Sequence, residues 1–214
     1  MKYICLLAIT LSVACSSKSK TATNHIDYDS IKLTLEEMYE TDQMYRQEVS
    51  DMIINKEPFN FELVNKMNKA DSINQIEVVK LLDQYGWLPK SKIGEDASDA
   101  IFYIIQHSPL ETMEVYFPQL KQLASKDEAS AVHAAMMEDR ILMYQGKHQI
   151  YGTQAKSMDL GDGNTDTYIW PIRNPENVNE RRKTAGFEDT VEENAAGMNA
   201  IYDPALPIPN ISSE

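Results

Sequence analysis

Apolar residues recur at three- and four-residue steps along most of the chain, the period of helices with one buried face. From about Lys32 the row Leu35, Met38, Tyr45, Val49 and Ile53 predicts a first helix, with Thr34 as its cap and Glu57-Pro58 as its break. Leu63, Met67, Ile73, Ile76, Val79 and Leu82 predict a second, from Asn60 to Tyr85, with Asp71-Ser72 as a candidate interruption and Gly86 as its stop. Gly86-Trp87-Leu88-Pro89 reads as a turn carrying a large apolar ring. Ala97, Ala100, Ile101, Ile104 and Ile105 form the inner face of a third helix, Glu95 to His107. Pro109 ends it and starts a fourth, Leu110 to Ser125, which Pro118 is expected to kink or split. A fifth runs from Asp127 to Gln145 and stops at Gly146.

Beyond His148 the period changes. Gly152, Gly161 and Gly163, with Thr, Tyr and Ile between them, predict a short hairpin or an ordered polar loop near residues 148–173. Asn177 to Ala185 reads as a short helix opened by Arg181-Arg182, and Val191 to Ile201 as another. The fold class expected is therefore mainly α, a single multi-helix domain over residues 31–203, followed by a Pro-rich tail, 204–214.

The first thirty residues differ from the rest. Lys2 precedes an apolar run from Tyr3 to Ala14, shorter than the about 20 residues that span a bilayer. It has the anatomy of a secretory signal, residues 1–14. Leu11-Ser12-Val13-Ala14-Cys15 resembles the lipobox of bacterial lipoproteins, in which the Cys becomes acylated; a plain secretory signal abutting a Cys is the other reading. The lipobox reading makes residues 15–30 a lipid-anchored flexible tether. It puts the protein in the bacterial cell envelope, held to a membrane through palmitate-like chains on Cys15 and facing the periplasm, with surface exposure left open. Cys5 leaves with the signal and Cys15 is capped, so neither a disulfide nor a Cys-ligated metal is expected.

Composition narrows the partners. The 214 residues include 33 Asp and Glu against 20 Lys and Arg, a net charge of −13. That excludes a nucleic-acid binder, which needs a basic face, and a polybasic membrane-surface protein. The four His stand in no HxxxH or HExxH spacing, and GxSxG, GxGxxG and GxxxxGK[ST] are all lacking. Neither a metal nor a cofactor is expected. Asp159-Leu160-Gly161-Asp162-Gly163-Asn164 is part of a calcium loop only, since Ile169 stands where its closing Glu belongs, and reads as an acidic turn.

The chemistry sits where polar residues interrupt apolar rows. Asp42 lies in the first helix's stripe, with Arg46 one turn on, either a surface ion pair or part of a site. Gln106 and His107 close the third helix, where a His is a cap, a satisfied core residue or a base. Asp139, with Arg140 beside it, lies in the row of Val132, Met136 and Met143. Gln149, Tyr151, Gly152, Thr153 and Gln154 interleave donors and acceptors with a glycine that admits close backbone approach. Arg181 and Arg182 can clamp a carboxylate or phosphate, or form a solvated charge pair.

Asp42-Gln43-x-x-Arg46, Gly86-Trp87, Gln106-His107, Asp139-Arg140, Gln149-x-Tyr151-Gly152-Thr153-Gln154 and Arg181-Arg182 followed by Gly186 together resemble the DUF6624 domain family, uncharacterised bacterial proteins, from about Leu35 to Phe187. The resemblance implies no activity; it implies that these polar residues are a shared signature. Three functions stand open. In one, a polar pocket takes a small-molecule ligand or envelope component, with Asp42 and Asp139 orienting Arg46 and Arg140, and His107, Gln106, Gln149, Tyr151, Thr153, Gln154, Arg181 and Arg182 bonding it. In another, a hydrolase or transferase uses His107 as base with Asp42 or Asp139 as its carboxylate. In the last, an interaction module uses buried ion pairs only to fix helix register.

Overall fold

Helix α4, Glu95–Gln106, is the axis around which the rest is laid. Ala97, Ala100, Ile101, Phe102, Ile104 and Ile105 are all buried on it, because α1 (Tyr28–Ile54), α2 (Phe61–Tyr85), the single turn α3 (Lys90–Ile93), α5 (Leu110–Ala124) and α6 (Ala131–Tyr144) pack against it from different sides. The structure is a computed structural model and describes residues 26–55, 57–159 and 165–209; the signal, Cys15 and the acidic turn at 160–164 lie outside them. Past α6 come an antiparallel hairpin, β1 (Ala155–Asp159) and β2 (Thr165–Ile169), and two short helices, α7 (Val178–Ala185) and α8 (Val191–Gly197). The chain is thus a mainly helical single domain, with eight helices and one hairpin among the described residues. None of those helices is long and apolar enough to cross a membrane.

Several local readings need correction. Helix α1 starts at Tyr28, not Lys32, because the Asp27 side chain accepts the Ser30 N–H, while Thr34 bonds back to the Ser30 carbonyl within the helix. Asp71-Ser72 leaves α2 unbroken: the Ser72 hydroxyl donates to the Asn68 carbonyl and Asp71 turns toward α1. Helix α2 is also rotated from its expected face. Asn74, Val78 and Leu82 are buried while Ile73 and Ile76 are exposed, and the Asn74 amide reaches the Met38 carbonyl on α1.

Pro118 neither splits nor ends α5, which runs on through it with Met113, Tyr116 and Leu120 packed inward. The lost N–H is outweighed by this packing and by the Tyr116 hydroxyl's 2.6 Å bond to Asp83 on α2. Helix α6 begins at Ala131 because Ser130 caps it, and Asp127, held in the left-handed region, pairs with Lys90 instead. Helix α8 stops at Gly197, and Ile201 instead bridges to Tyr168 beside the hairpin. Arg181 and Arg182 lie mid-way along α7 rather than opening it.

The hairpin pairs Ala155 with Ile169 and Asp159 with Thr165. It rests on two small apolar clusters of its own, Ile169, Ile172, Val178, Val191 and Ala195 on one side, and Met143, Met158, Trp170 and Leu206 on the other. The second cluster includes Met143 of α6, so the C-terminal half packs onto the helical core through that helix.

Candidate functional site

Three helices contribute one polar row each to a common band of polar and aromatic side chains, the trough. Helix α4 supplies Asp99, Tyr103 and His107, spaced four residues apart and therefore on one face. Helix α1 supplies Tyr39, Asp42 and Arg46, and α6 supplies His133 and Arg140. The rings of Tyr39 and Tyr103 are 5.7 Å apart, Tyr103 lies 5.5 Å from His133 and 6.5 Å from His107, and His133 stacks on Phe102 at 4.0 Å. Tyr103 thus stands between two histidines, each facing a carboxylate: His133 Nδ1 lies 3.3 Å from Asp99 and His107 Nδ1 lies 3.8 Å from Asp42.

The Asp42 end is the more buried. Asp42 is 2% exposed and accepts a forked contact from Arg46 at 3.1 Å on both oxygens and the Gln43 amide at 2.8 Å. Arg46 also donates to Asp71 on α2 at 2.8 Å. Burial alone would raise the Asp42 pKa; the neighbouring imidazole and guanidinium outweigh it and hold the carboxyl down at about 2. His107 is pushed the other way from a charged state. Its burial lowers its pKa, Asp42 opposes that, and the positive charges of Arg46 and Arg140 add to it. The pair is therefore a carboxylate beside a neutral imidazole at pH 7, held in place by the Gln75 amide on the His107 carbonyl at 3.0 Å.

Arg46 opens onto a cleft of about 750 Å³ between the far ends of α1 and α2 and the α8 end, walled by Val49, Ile53, Met67 and Met198. Tyr39 and Tyr103 both have raised pKa values, through burial first; the carboxylates of Asp99, Asp96 and Asp42 then raise Tyr39, and Tyr39 itself followed by Asp99 and Asp42 raise Tyr103. Among the described residues, no group of three or more His, Cys, Asp or Glu side chains is placed to hold a metal ion.

Asp139 stands elsewhere. It is fully buried, and its carboxylate accepts the backbone N–H groups of Ile150, Tyr151 and Thr153 and the Thr153 hydroxyl, at 2.6 to 3.1 Å. Burial pushes its pKa up and these donors pull against that shift. Neither Arg46 nor Arg140 pairs with it among the described residues. Gln149 closes the same loop on itself, donating to the carbonyls of Gln154 and Trp170 and accepting the Gln154 N–H. The Gln154 amide reaches the Thr153 hydroxyl.

Arginines from α7 seal the loop from the other side. Arg181 donates to the carbonyls of Ile150, Arg173 and Asn174. Arg182, 1% exposed, donates to the Tyr151 and Asp189 carbonyls, pairs with the Asp189 carboxylate and lies over the Phe187 ring at 4.4 Å. Gly152, at φ +73°, leaves no room for a side chain: a Cβ there would meet Val191 at 2.6 Å and Ile172 at 2.7 Å.

The structure therefore divides the sequence candidates. Asp42, Arg46, His107 and Arg140 share the trough, with Gln106 one residue from His107. Asp139, Gln149, Tyr151, Thr153, Gln154, Arg181 and Arg182 form a second network centred on the loop. Tyr39, Asp99, Tyr103 and His133 were missed by sequence reasoning, although the four-residue spacing of Asp99, Tyr103 and His107 is a readable signal for one of the three rows.

The chain belongs to the DUF6624 family, a family of unknown function, whose model matches residues 29–203. No curated protein and no solved structure matches it.

Proposed function

We propose that the trough binds a small polar ligand, gripped by Asp42, Arg46, His107 and Arg140 at its buried end and lying along Tyr103 toward His133. One observation carries this reading. Four buried side-chain polar atoms lack a hydrogen-bond partner among the described residues, and three of them are Gln106 Oε1, His107 Nδ1 and Arg140 Nε. Folded proteins leave few such atoms unpaired, because each costs about 1–3 kcal/mol. Two of these three come from consecutive residues at the end of α4 and the third from α6, and the charge of Arg140 reaches His107. A ligand offering donors and acceptors there removes the deficit. The experiment is a melting-temperature screen against small polar metabolites, repeated on Asp42→Asn and His107→Ala. A ligand that stabilises the native protein and loses its effect in both folded variants supports the reading; one whose effect survives both substitutions refutes it.

A second reading, a hydrolase or transferase, is favoured by the Asp42–His107 pair. A neutral imidazole with its Nδ1 toward a carboxylate can take a proton at Nε2 once ligand closure shortens the 3.8 Å gap. Activity lost in His107→Ala and in Asp42→Asn, with both variants folded, is the outcome it requires. As to location, an envelope lipoprotein is our proposal on the residues Leu11 to Cys15. Cys15→Ser should abolish labelling by a fatty-acid analogue, and undiminished labelling would refute the anchor.

A further inference from the structure

Among the arginines of the two networks, Arg140 is the one held neither by a carboxylate nor by a set of backbone carbonyls among the described residues. Arg46 is held by Asp42 and Asp71, Arg182 by Asp189, and Arg181 by three carbonyls. Arg140 takes part in no ion pair among the described residues, and its Nε is sealed from solvent with no partner. The favourable neighbour it has is the Tyr144 hydroxyl one turn later, while Arg46 adds a second positive charge nearby. A lysine in such a place can shed its proton; a guanidinium cannot, so a half-buried Arg140 keeps its charge and favours an anion beside it.

We propose that Arg140 is the oxyanion-receiving subsite of the trough, taking a carboxylate or phosphoryl group of the ligand. This rests on the ligand-binding reading above and names the chemical class. Arg46 does not compete for the role, because Asp42 already occupies its fork at 3.1 Å on both oxygens. Arg140, in no ion pair among the described residues, has a guanidinium that can meet two oxygens of a planar or tetrahedral oxyanion side by side. Gln106, with its carbonyl oxygen unpaired, adds an acceptor that suits a ligand carrying a hydroxyl or amide next to its acid group.

The test uses the purified protein and three sodium salts at matched ionic strength: phosphate, acetate and chloride. Expected is a saturable rise in melting temperature with phosphate or acetate that chloride does not produce, and the salt that saturates at the lower concentration identifies the oxyanion. In Arg140→Met the anion-dependent rise is lost while the salt-free melting temperature is unchanged or higher, because a half-buried charge without a counter-ion among the described residues has gone. In Arg140→Lys, which keeps the charge and loses the fork, affinity falls about tenfold. Equal response to all three salts, or an anion-dependent rise that persists in Arg140→Met, overturns the proposal. So does an Arg140→Met protein that fails to fold, since that makes the guanidinium a structural element. A neutral metabolite that needs Asp42 and His107 yet binds Arg140→Met unchanged overturns this inference alone and leaves the trough as a binding site.

Discussion

Asp139 accepts the backbone N–H of Ile150 at 2.6 Å, across eleven residues and the end of α6. Two carboxylates interrupt apolar rows in this chain, and this bond separates their roles. Asp139 is satisfied by main-chain donors and holds a loop. Asp42 is satisfied by side chains that border a trough.

Replacing Asp139 should therefore cost the fold. Asp139→Asn keeps the shape but turns an amide N–H toward main-chain N–H groups. The expected loss is about 3 kcal/mol or more, read from denaturant unfolding. A melting curve within error of the native protein's would contradict the account of this loop.

Gly152→Ala should be nearly as damaging. It combines a left-handed backbone, φ +73°, with overlap on Val191 and Ile172, and a cost of about 2–4 kcal/mol follows. The check is the same unfolding experiment, with circular dichroism to confirm that α8 is the element loosened.

Acid should weaken the protein in two stages. The folded pKa of His107 lies below its usual 6.5, so the unfolded chain takes that proton first and stability falls as the pH drops through 6.5. Asp42 is lowered from 3.8 to about 2, so its contribution is complete above pH 4 and disappears toward pH 2. Melting temperature against pH should lose its lower arm in Asp42→Asn and its upper arm in His107→Gln. Parallel curves for the native protein and Asp42→Asn between pH 4 and 2 would remove the assignment.

At the other end of the trough, Asp99 and His133 are partly exposed and their pairing is worth under about 1 kcal/mol. Asp99→Asn and His133→Gln should leave the melting temperature nearly unchanged and weaken ligand binding severalfold in a titration. Unchanged affinity in both would confine the ligand to the Asp42 end.

The helical order and the hairpin were legible because burial period and turn residues are local signals. The face of α2 was not: Ile73 and Ile76 look like core residues, and only the tertiary partners of Asn74 and Asp71 turn them outward. Pro118 looks like a break because the packing of Tyr116 and Leu120 is invisible in the chain. The candidate residues were legible as polar side chains in apolar surroundings; Asp42, Arg46 and His107 lie together, with the charge of Arg140 reaching them. Periodicity could not tell that Asp139 serves a backbone loop, since carboxylates facing N–H groups and carboxylates facing cations leave the same mark on a sequence. His133 and Asp99 went unseen because their partnership crosses from α4 to α6.

Asp139 and Arg140 are neighbours on α6 and point about 100° apart. One clasps the loop at 150–153, the other overlooks the trough. Helix α6 is consequently an axle shared by both halves of the molecule: rolling it to suit a reshaped loop moves the Arg140 charge relative to His107. Insertions at the tip of the hairpin leave that axle undisturbed, whereas altering the length of the span from 149 to 154 resets the aim of a charge that lies outside it.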